Sequence, residues 1–289
     1  MNLRTLLALT LFAGLATPSI AEEAKPLRVL VVAGGCCHDY ANQKEILKKG
    51  IEARVNATVT VIYDATKSTK PLFDLYKKDG WYKDFDVIVH DECAADITDA
   101  AYVDNVLKAH REGVPAVNLH CAMHSYRWGK FQQPVKAGDD NAHWYEMLGL
   151  QSTGHGPQLP IAIKFTDKDS PITKGLADWT TINEELYNNV QILGGKGLAT
   201  GTQVTKTAEK KDKDGKVVAP AKETSNEKIV VWTNEYGAKK TRIFSTTIGH
   251  NNKTVEDDRY LDLVTRGLLW SVNKLDADGK ALAGYGAKK

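Results

Sequence analysis

Short, continuous runs of apolar residues recur through the first half of the chain, and polar or amphipathic segments separate them. Four such runs are predicted strands, at residues 27–33, 58–63, 85–90 and 114–119. Runs of this kind are typical of parallel strands that are buried on both faces. Helices are predicted at 42–55 and 99–112, where apolar residues recur at helical spacing. This alternation predicts an α/β fold with a doubly wound, mostly parallel sheet and helices on both faces.

The ends of these strands carry most of the reactive side chains in this half of the chain. In a flavodoxin-like strand order, 2-1-3-4, the ends of the first, third and fourth strands lie side by side. Open α/β sheets bind their ligands at this edge, near the switch point. The three strand ends carry Cys36, Cys37, His38, Asp91, Glu92, Cys93, His120, Cys121 and His124. The fold therefore predicts a polar site at one edge of the sheet.

The second half of the chain has a less regular pattern. A short helix is predicted at 141–149, strands at 159–165, 229–233 and 241–248, and a final helix at 257–272. A loop is predicted at 154–157. Residues 205–228 are very polar and predict a loop insertion or protruding hairpin, and residues 276–289 predict a disordered tail. No linker divides the chain, so we expect one domain over residues 26–275.

The first 21 residues are predicted to be a secretory signal peptide. Arg4 precedes an apolar run at 6–15, and the small residues Ser19 and Ala21 precede the expected cleavage point. The apolar run is well short of the roughly 20 residues that a membrane-spanning helix needs. We therefore expect a periplasmic or secreted protein that does not associate with a membrane.

The charge of the chain argues against nucleic acid as a partner. The formal net charge is +2, with 38 basic and 36 acidic residues mixed along the sequence. Nucleic-acid-binding proteins usually have a concentrated basic face. The expected partner is a small molecule, and a homo-oligomer is possible.

The four cysteines allow several interpretations. Disulfides are usual in an oxidising compartment, but two of these cysteines are adjacent and two stand alone, so their pairing is open. Cys121 follows a strand and a turn, as a nucleophile at an elbow does. Leu119 and Met123 occupy the positions where glycines would relieve such a turn. We rank packing first for Cys121, a disulfide or a place beside a metal second, and a nucleophile third.

Histidines at strand ends and in glycine-flanked loops, with one carboxylate, suggest two kinds of chemistry. The candidates are His38, His120, His155, His250 and Glu185. Such a set could hold a divalent metal, namely Zn, Mn, Fe or Ni. It could instead perform general acid–base catalysis, because imidazole titrates near neutral pH. His90, His110 and His143 are assigned to packing or to the surface, and His124 fits either group.

Several short motifs together resemble the trehalose-utilisation (ThuA-like) family, a branch of the class I glutamine amidotransferase-like superfamily. They are VVAGGCCHDY at 31–40, VNLHCA at 117–122, WYEMLG at 144–149 with His155, SPITKGL at 170–176, EELY at 184–187, IGH at 248–250 and RGLLW at 266–270. The resemblance implies a single flavodoxin-like domain. It also implies that a histidine, here His120, stands where the amidotransferases carry their catalytic cysteine.

The resemblance extends to the roles of individual residues. It implies catalytic roles for His38, His120 and Glu185. Ligand-binding roles are expected for His155, His250, Tyr40, Tyr187 and Trp144. The four histidines and Glu185 are also the tentative metal ligands. Trp81, Trp128 and Trp144 could stack on sugar rings, although core or rim packing is the commoner role of a single tryptophan.

The implied function is an exported enzyme of carbohydrate catabolism, a hydrolase or lyase acting on glycosides or keto-glycosides. A 3-keto group acidifies the neighbouring C–H, so a His or Glu base could remove that proton while a metal or an imidazolium holds the enediolate. Two alternatives stay open at this point. One is a non-catalytic sugar-binding module, and the other is a Cys-dependent, amidase-like hydrolase.

Overall fold

The computed structural model describes residues 24–288, so the predicted signal peptide at 1–21 lies outside the described residues. The first half of the chain alternates strands and helices, as predicted. Its elements are β1 (Leu27–Gly35), α1 (Tyr40–Glu52), β2 (Ala57–Asp64), β3 (Val87–Cys93), α2 (Ala100–Arg111) and β4 (Ala116–Leu119). A short 3-10 helix, His120–His124, follows β4 directly.

The second half consists mainly of long strands. Its elements are α3 (His143–Leu148), β5 (Leu150–Phe165), β6 (Trp179–Ile192), β7 (Lys196–Thr207), β8 (Lys210–Lys211), β9 (Val217–Ala219), β10 (Lys222–Tyr236), β11 (Thr241–Thr246), α4 (Asn252–Val255) and α5 (Asp258–Ser271). Within residues 24–288, the helices are all too short or too polar to cross a membrane.

Nine of the strands form one mixed sheet in the order β2-β1-β3-β4-β11-β10-β7-β5-β6. The pairs β2–β1, β1–β3, β3–β4 and β4–β11 are parallel. The remaining four pairs, from β11–β10 to β5–β6, are antiparallel. The predicted flavodoxin-like order 2-1-3-4 is confirmed in the parallel part of the sheet. The antiparallel part extends it beyond β11.

Alternation along β1 builds a hydrophobic core on each face of the sheet. Val29 and Val31 face α1 and α5 on one side, where they join Leu47 and Val264. Residues of the opposite parity, such as Leu30, face α2 and α3 in the second core. Successive side chains of a strand point to opposite faces, so a continuous apolar run is what a sheet covered by helices on both sides requires.

The antiparallel extension differs most from the sequence expectations. β5 already begins at Leu150, so the predicted loop at 154–157 is part of a strand, and β7 was not predicted. Glycines interrupt both stretches, and glycine gives a weak strand signal. The pairing of β5 with β6 is interrupted by register shifts on either side of His155. Such bulges are common beside active sites.

The two polar segments both have defined structure. The long strands β7 and β10 pair as far as Thr207 and Lys222, so residues 205–228 form a protruding hairpin. The tail expected to be disordered instead packs on the domain, and Gly286 pairs with Val55. The backbone and side-chain N–H groups of Asn56 donate to Tyr285 O (3.1 Å) and Gly284 O (2.8 Å). The tail thus satisfies polar groups between α1 and β2 that composition does not reveal.

His90 and His110 lie in the core, as expected, within a buried polar chain. His110 Nδ1 donates to Val114 O (2.7 Å), so its Nε2 accepts from His90 Nε2 (3.0 Å). His90 Nδ1 then shares a proton with Glu92 Oε1 (2.9 Å). Burial, reinforced by repulsion from His90, lowers the pKa of His110 to about 3. Glu92 therefore belongs to this buried chain and does not join the polar edge.

Gly267 allows α5 to pack directly on the sheet. A Cβ at this position would lie 2.4 Å from the Phe244 ring of β11. Glycine to alanine in a helix normally stabilises by about 1 kcal/mol. We predict the opposite sign for Gly267→Ala, a loss of about 1–3 kcal/mol from overpacking, measured by urea unfolding.

Gly286→Ala is the matched control. Its added methyl would meet only Ala281 Cβ at 3.7 Å, so its stability should change by less than about 0.5 kcal/mol. Unchanged or increased stability of Gly267→Ala would show that α5 does not pack on β11 as described.

Candidate active site

Five polar residues from five chain segments meet at the carboxyl edge of the parallel strands. His38 follows β1, His120 follows β4, and His250 follows β11. His155 lies in β5 and Glu185 in β6, so the antiparallel extension reaches across the edge. The structure therefore brings together all five residues that the sequence singled out, although they span more than 200 positions.

The Glu185 carboxylate is the centre of this cluster. Its side chain is only 6% exposed, and three imidazoles approach it. Glu185 Oε2 lies 3.5 Å from His120 Nε2, and Oε1 lies 3.3 Å from His250 Nδ1 and 3.6 Å from His155 Nδ1. A buried carboxylate needs charged or hydrogen-bonding partners to remain ionised, and the histidines provide them.

His38 completes a triangle of imidazoles beside this carboxylate. Its ring centroid lies 4.6 Å from that of His120 and 4.7 Å from that of His250. One nitrogen of each ring is buried without a hydrogen-bond partner among the described residues: His38 Nδ1, His120 Nε2 and His250 Nδ1. Ligand atoms of the three side chains lie within 4.8 Å of one another.

The protonation of His120 follows from its surroundings. His120 Nδ1 lies 2.6 Å from the carbonyl oxygen of Thr247, which can only accept, so Nδ1 carries a proton. In the neutral ring, Nε2 then presents a lone pair to Glu185 Oε2 at 3.5 Å. Two acceptors at this distance repel unless a cation lies with them. That cation is either a proton on Nε2 or a bound metal ion.

The electrostatics of the site favour a neutral His38 beside an ionised Glu185. Burial, together with repulsion from His120 and His250, lowers the pKa of His38 to about 2. Burial acts to raise the pKa of Glu185, but interaction with His120 and His250 outweighs it and holds that pKa below its usual value. Interaction with Glu185 raises the pKa of His250 against the effect of burial.

A second carboxylate, Glu184, fixes the loop that carries His250. Neighbouring residues of a strand face opposite ways, so Glu184 turns away from the cavity while Glu185 enters it. The Glu184 carboxylate accepts the backbone N–H groups of His250 (2.9 Å) and Asn251 (3.0 Å). On the other side of the loop, Gln43 Nε2 donates to the His250 carbonyl (3.0 Å).

Gln158 links the two halves of the site. Its side-chain amide lies 2.8 Å from His250 Nε2, and its Nε2 donates to Glu185 Oε1 at 3.3 Å. The bulges in β5 set the positions of both Gln158 and His155 relative to β6. Glu184, Gln43 and Gln158 were not predicted from the sequence. Only the EELY motif and the strand alternation could have pointed to Glu184.

The cluster opens into a cavity of about 540 Å³, within the range typical of small-molecule sites. Tyr187 lines it and stacks on His124, with ring centroids 4.1 Å apart. His124, which the sequence left unassigned, is thus a wall of the cavity, and its Nε2 pairs with Ser152 Oγ (2.9 Å). Arg127 also lines the cavity, and its buried Nε has no hydrogen-bond partner among residues 24–288.

The structure does not bring two of the predicted binding residues into the cavity. Trp144 is 1% exposed and donates from Nε1 to Ala122 O (2.9 Å). Its ring meets Tyr126 within the hydrophobic core that α2 and α3 cover, so it cannot stack on a ligand. Tyr40 is buried behind His38, with ring centroids 5.4 Å apart. Trp81 also lies in this core, and the partly buried Trp128 packs against the core from outside.

The cysteines form two disulfides, Cys36–Cys37 and Cys93–Cys121, and no cysteine within the described chain is free. Packing was ranked first for Cys121, and this ranking is corrected. The structure shows the disulfide that was ranked second, which joins the residue covalently to Cys93 at the end of β3. A disulfide sulfur is not a nucleophile, so the structure does not support the Cys-dependent hydrolase.

The donor set fits a divalent metal. Three imidazole nitrogens without partners and one carboxylate are a usual ligand set for Zn and related ions. Metal binding requires neutral imidazole and ionised carboxylate, which the burial of His38 and the depressed pKa of Glu185 favour. The hydrogen bond from His120 Nδ1 to Thr247 orients that ring from behind, as outer partners of metal ligands do.

Removal of the Glu184 charge should loosen the loop that carries His250. We predict that Glu184→Gln loses about 1.5–3 kcal/mol, the usual cost of a hydrogen bond to a charged group. Amide hydrogen exchange at 249–251 should accelerate. Glu256→Gln is the control, because Glu256 is exposed on the neighbouring helix. Equal protection of 249–251 in wild type and Glu184→Gln would contradict this anchoring role.

The coupling between Glu185 and His250 can be measured by NMR titration of the metal-free protein. Because the carboxylate raises the pKa of His250 while burial lowers it, Glu185→Gln should shift that pKa downward. Glu45→Gln, on the exposed face of α1, is the matched control and should leave it unchanged. An unchanged pKa of His250 in Glu185→Gln would mean that Glu185 and His250 do not interact.

Comparison with known proteins agrees with the fold and the motifs. The family ThuA, described as trehalose utilisation, matches residues 28–271. A ThuA-like protein from Parabacteroides merdae ATCC 43184 is similar at 17% identity, with a TM-score of 0.55, covering 91% of this chain and 98% of that one. A second, from Bacteroides uniformis ATCC 8492, has 15% identity, a TM-score of 0.56 and the same coverage. Curated proteins gave no match.

The structural likeness alone shows a common fold, whereas the family match extends over most of the sequence and includes the segments that carry all five site residues. The protein is therefore a member of the ThuA family, within the class I glutamine amidotransferase-like superfamily, and has a role related to carbohydrate metabolism.

Proposed function

We propose that the protein is an enzyme that cleaves keto-glycosides by elimination, with a divalent metal bound by Glu185, His38, His120 and His250. The observation that carries this proposal is the opposition of His120 Nε2 and Glu185 Oε2 at 3.5 Å. The hydrogen bond from His120 Nδ1 to the Thr247 carbonyl oxygen places a proton on Nδ1, so that in the neutral ring Nε2 carries the lone pair. A lone pair and a carboxylate held together in a buried site call for a cation between them.

In this proposal, His38, His120, His250 and Glu185 hold the metal. When bound, the metal would supply Lewis-acid stabilisation of the negative charge that develops on a substrate oxygen. Glu184, Gln43 and Thr247 keep the ligands in place through the hydrogen bonds described above. Precise placement of such groups before substrate arrives is what makes electrostatic stabilisation effective.

His155 is the proposed proton acceptor. Its side chain is 43% exposed, the most open of the four site histidines. His155 Nδ1 donates to Gly156 O (2.9 Å), which leaves the lone pair on Nε2. In a 3-keto-glycoside, the imidazole would remove the proton from C2, and the electron pair would expel the glycosidic oxygen from C1. The departing oxygen would take up the proton removed from C2 and leave as the alcohol. Water would then add across the C1–C2 double bond to give the free 3-keto sugar.

The rest of the cavity suits a sugar. A volume of about 540 Å³ accommodates a ligand of disaccharide size. Arg127 lines the cavity and offers donors for hydroxyl or carboxylate oxygens of a ligand. Export of the protein is part of the proposal. The predicted signal peptide and the two disulfides support it.

The test compares metal content and turnover of a chromogenic 3-keto-glucoside in matched variants. The wild type should bind about one metal per chain and release the chromophore. His120→Ala should lose both metal and at least about 100-fold in kcat/KM. His155→Ala should retain the metal and lose about 100-fold in kcat, the usual contribution of a general base.

His143→Ala is the control, since His143 begins α3 outside the cavity. The assignment is wrong if His120→Ala keeps full turnover or if metal-free wild type is fully active. Equal sugar binding by wild type and a His120→Ala/Glu185→Gln variant, without turnover by either, would favour the non-catalytic sugar-binding module.

A further inference from the structure

All four cysteines meet beside the histidine site and line the same cavity. Cys36 and Cys37 follow β1, Cys93 ends β3, and Cys121 follows β4. The two disulfides touch each other, because Cys36 Sγ lies 3.7 Å from Cys93 Sγ, which is van der Waals contact for sulfur. A domain of this size does not depend on disulfides to fold, so this concentration calls for a chemical explanation.

The two disulfides differ in their access to solvent. Cys37 is exposed and Cys36 partly so, whereas Cys93 and Cys121 are only 2% and 6% exposed. A thiol from another molecule can therefore reach the Cys36–Cys37 pair and cannot readily reach the Cys93–Cys121 pair. Access is one of the factors that set the rate of thiol–disulfide exchange.

We propose that the four cysteines form a thiol–disulfide exchange site that accepts electrons from an external dithiol at Cys37 and passes them to the buried Cys93–Cys121 pair. The juxtaposition that carries the proposal is the contact of Cys36 Sγ with Cys93 Sγ. The partner is a dithiol, either a small molecule or a protein with two neighbouring thiols.

The exchange proceeds in three substitutions at sulfur. A thiolate of the dithiol attacks Cys37 Sγ, and Cys36 leaves as a thiolate. Cys36 then attacks Cys93 Sγ, a Cys36–Cys93 disulfide forms, and Cys121 leaves. Finally the second thiol of the partner attacks the mixed disulfide and releases Cys37. The partner is oxidised by two electrons, and its two protons end on the thiols of Cys37 and Cys121.

The product state alters the surroundings of two site histidines. Cys37 directly precedes His38, and Cys121 directly follows His120. Both Cys37 and His120 have backbone φ angles, 82° and 41°, in the left-handed region. The exchange would replace the link between the ends of β3 and β4 with a link between the ends of β1 and β3. This connects the redox state of the chain to the positions of His38 and His120.

The experiment treats the mature protein with one equivalent of dithiothreitol, quenches with acid, alkylates and digests with trypsin without further reduction. The cysteines fall on three tryptic peptides, 29–44, 84–108 and 112–127. The untreated protein should show 84–108 linked to 112–127. The two-electron-reduced protein should show 29–44 linked to 84–108, with Cys37 and Cys121 alkylated.

Two variants isolate the relay. In Cys36→Ser, reduction of the Cys93–Cys121 pair should slow by at least about tenfold, because only direct attack at buried sulfur remains. In Cys37→Ser, the free Cys36 thiol should form the 29–44/84–108 link without any reductant. If Cys36→Ser does not fold, this second variant decides the question.

Three results would overturn the proposal. One is alkylation of Cys36 and Cys37 alone, with the 84–108/112–127 link intact after two-electron reduction. Another is equally fast reduction of the buried pair in wild type and Cys36→Ser. The third is isolation of the protein with a soft metal ion bound to all four thiols. None of these readouts involves a sugar, so the outcome is independent of the proposed glycoside chemistry.

Discussion

The arrangement of the site depends on the burial of one negative charge. The Glu185 carboxylate is almost removed from water, and no arginine or lysine forms an ion pair with it in the described chain. An isolated buried carboxylate would take up a proton. Here three imidazoles surround it, and interaction with two of them, His120 and His250, keeps its pKa low despite burial. The loops after β1, β4 and β11 must hold their histidines in place for this balance to persist.

The remaining structure can be understood as support for that balance. The parallel strands deliver His38 and His120 to one edge, and Glu184 fixes the loop of His250 from the side of β6. The antiparallel extension then places Glu185 and His155 over the same edge, with bulges that set their register. Neither half of the sheet forms the site alone. This division explains why residues so distant in sequence act on one small volume.

Much of the site could be predicted from the sequence because strand ends have a recognisable form. Continuous apolar runs followed by Gly-Gly or by a turn showed where His38 and His120 would lie, and the family motifs added His155 and Glu185. Glu184 could not be recognised, because adjacent glutamates look alike until a strand assigns them to opposite faces. Trp144 was misassigned because the sequence does not show that its side chain points from α3 into the core and not into the cavity. The cysteine pairing depends on three-dimensional contact, which spacing does not reveal.

The histidine and cysteine clusters lie side by side but favour different metal ions and different chemistry. Imidazole and carboxylate suit a borderline metal ion, whereas thiols bind soft ions or exchange disulfides. Because both pairs of cysteines are oxidised in the structure, their sulfurs do not compete for a metal held by the histidines. The oxidised cluster thus leaves the nitrogen and oxygen donors as the available ligands.

X-ray absorption spectroscopy of the metal-bound protein tests this account most directly, because it identifies the atoms around the ion. The account predicts nitrogen and oxygen neighbours at about 2.0–2.2 Å, with imidazole scattering that decreases in His120→Ala. Sulfur neighbours at about 2.3 Å, or a spectrum unchanged by His120→Ala, would contradict it.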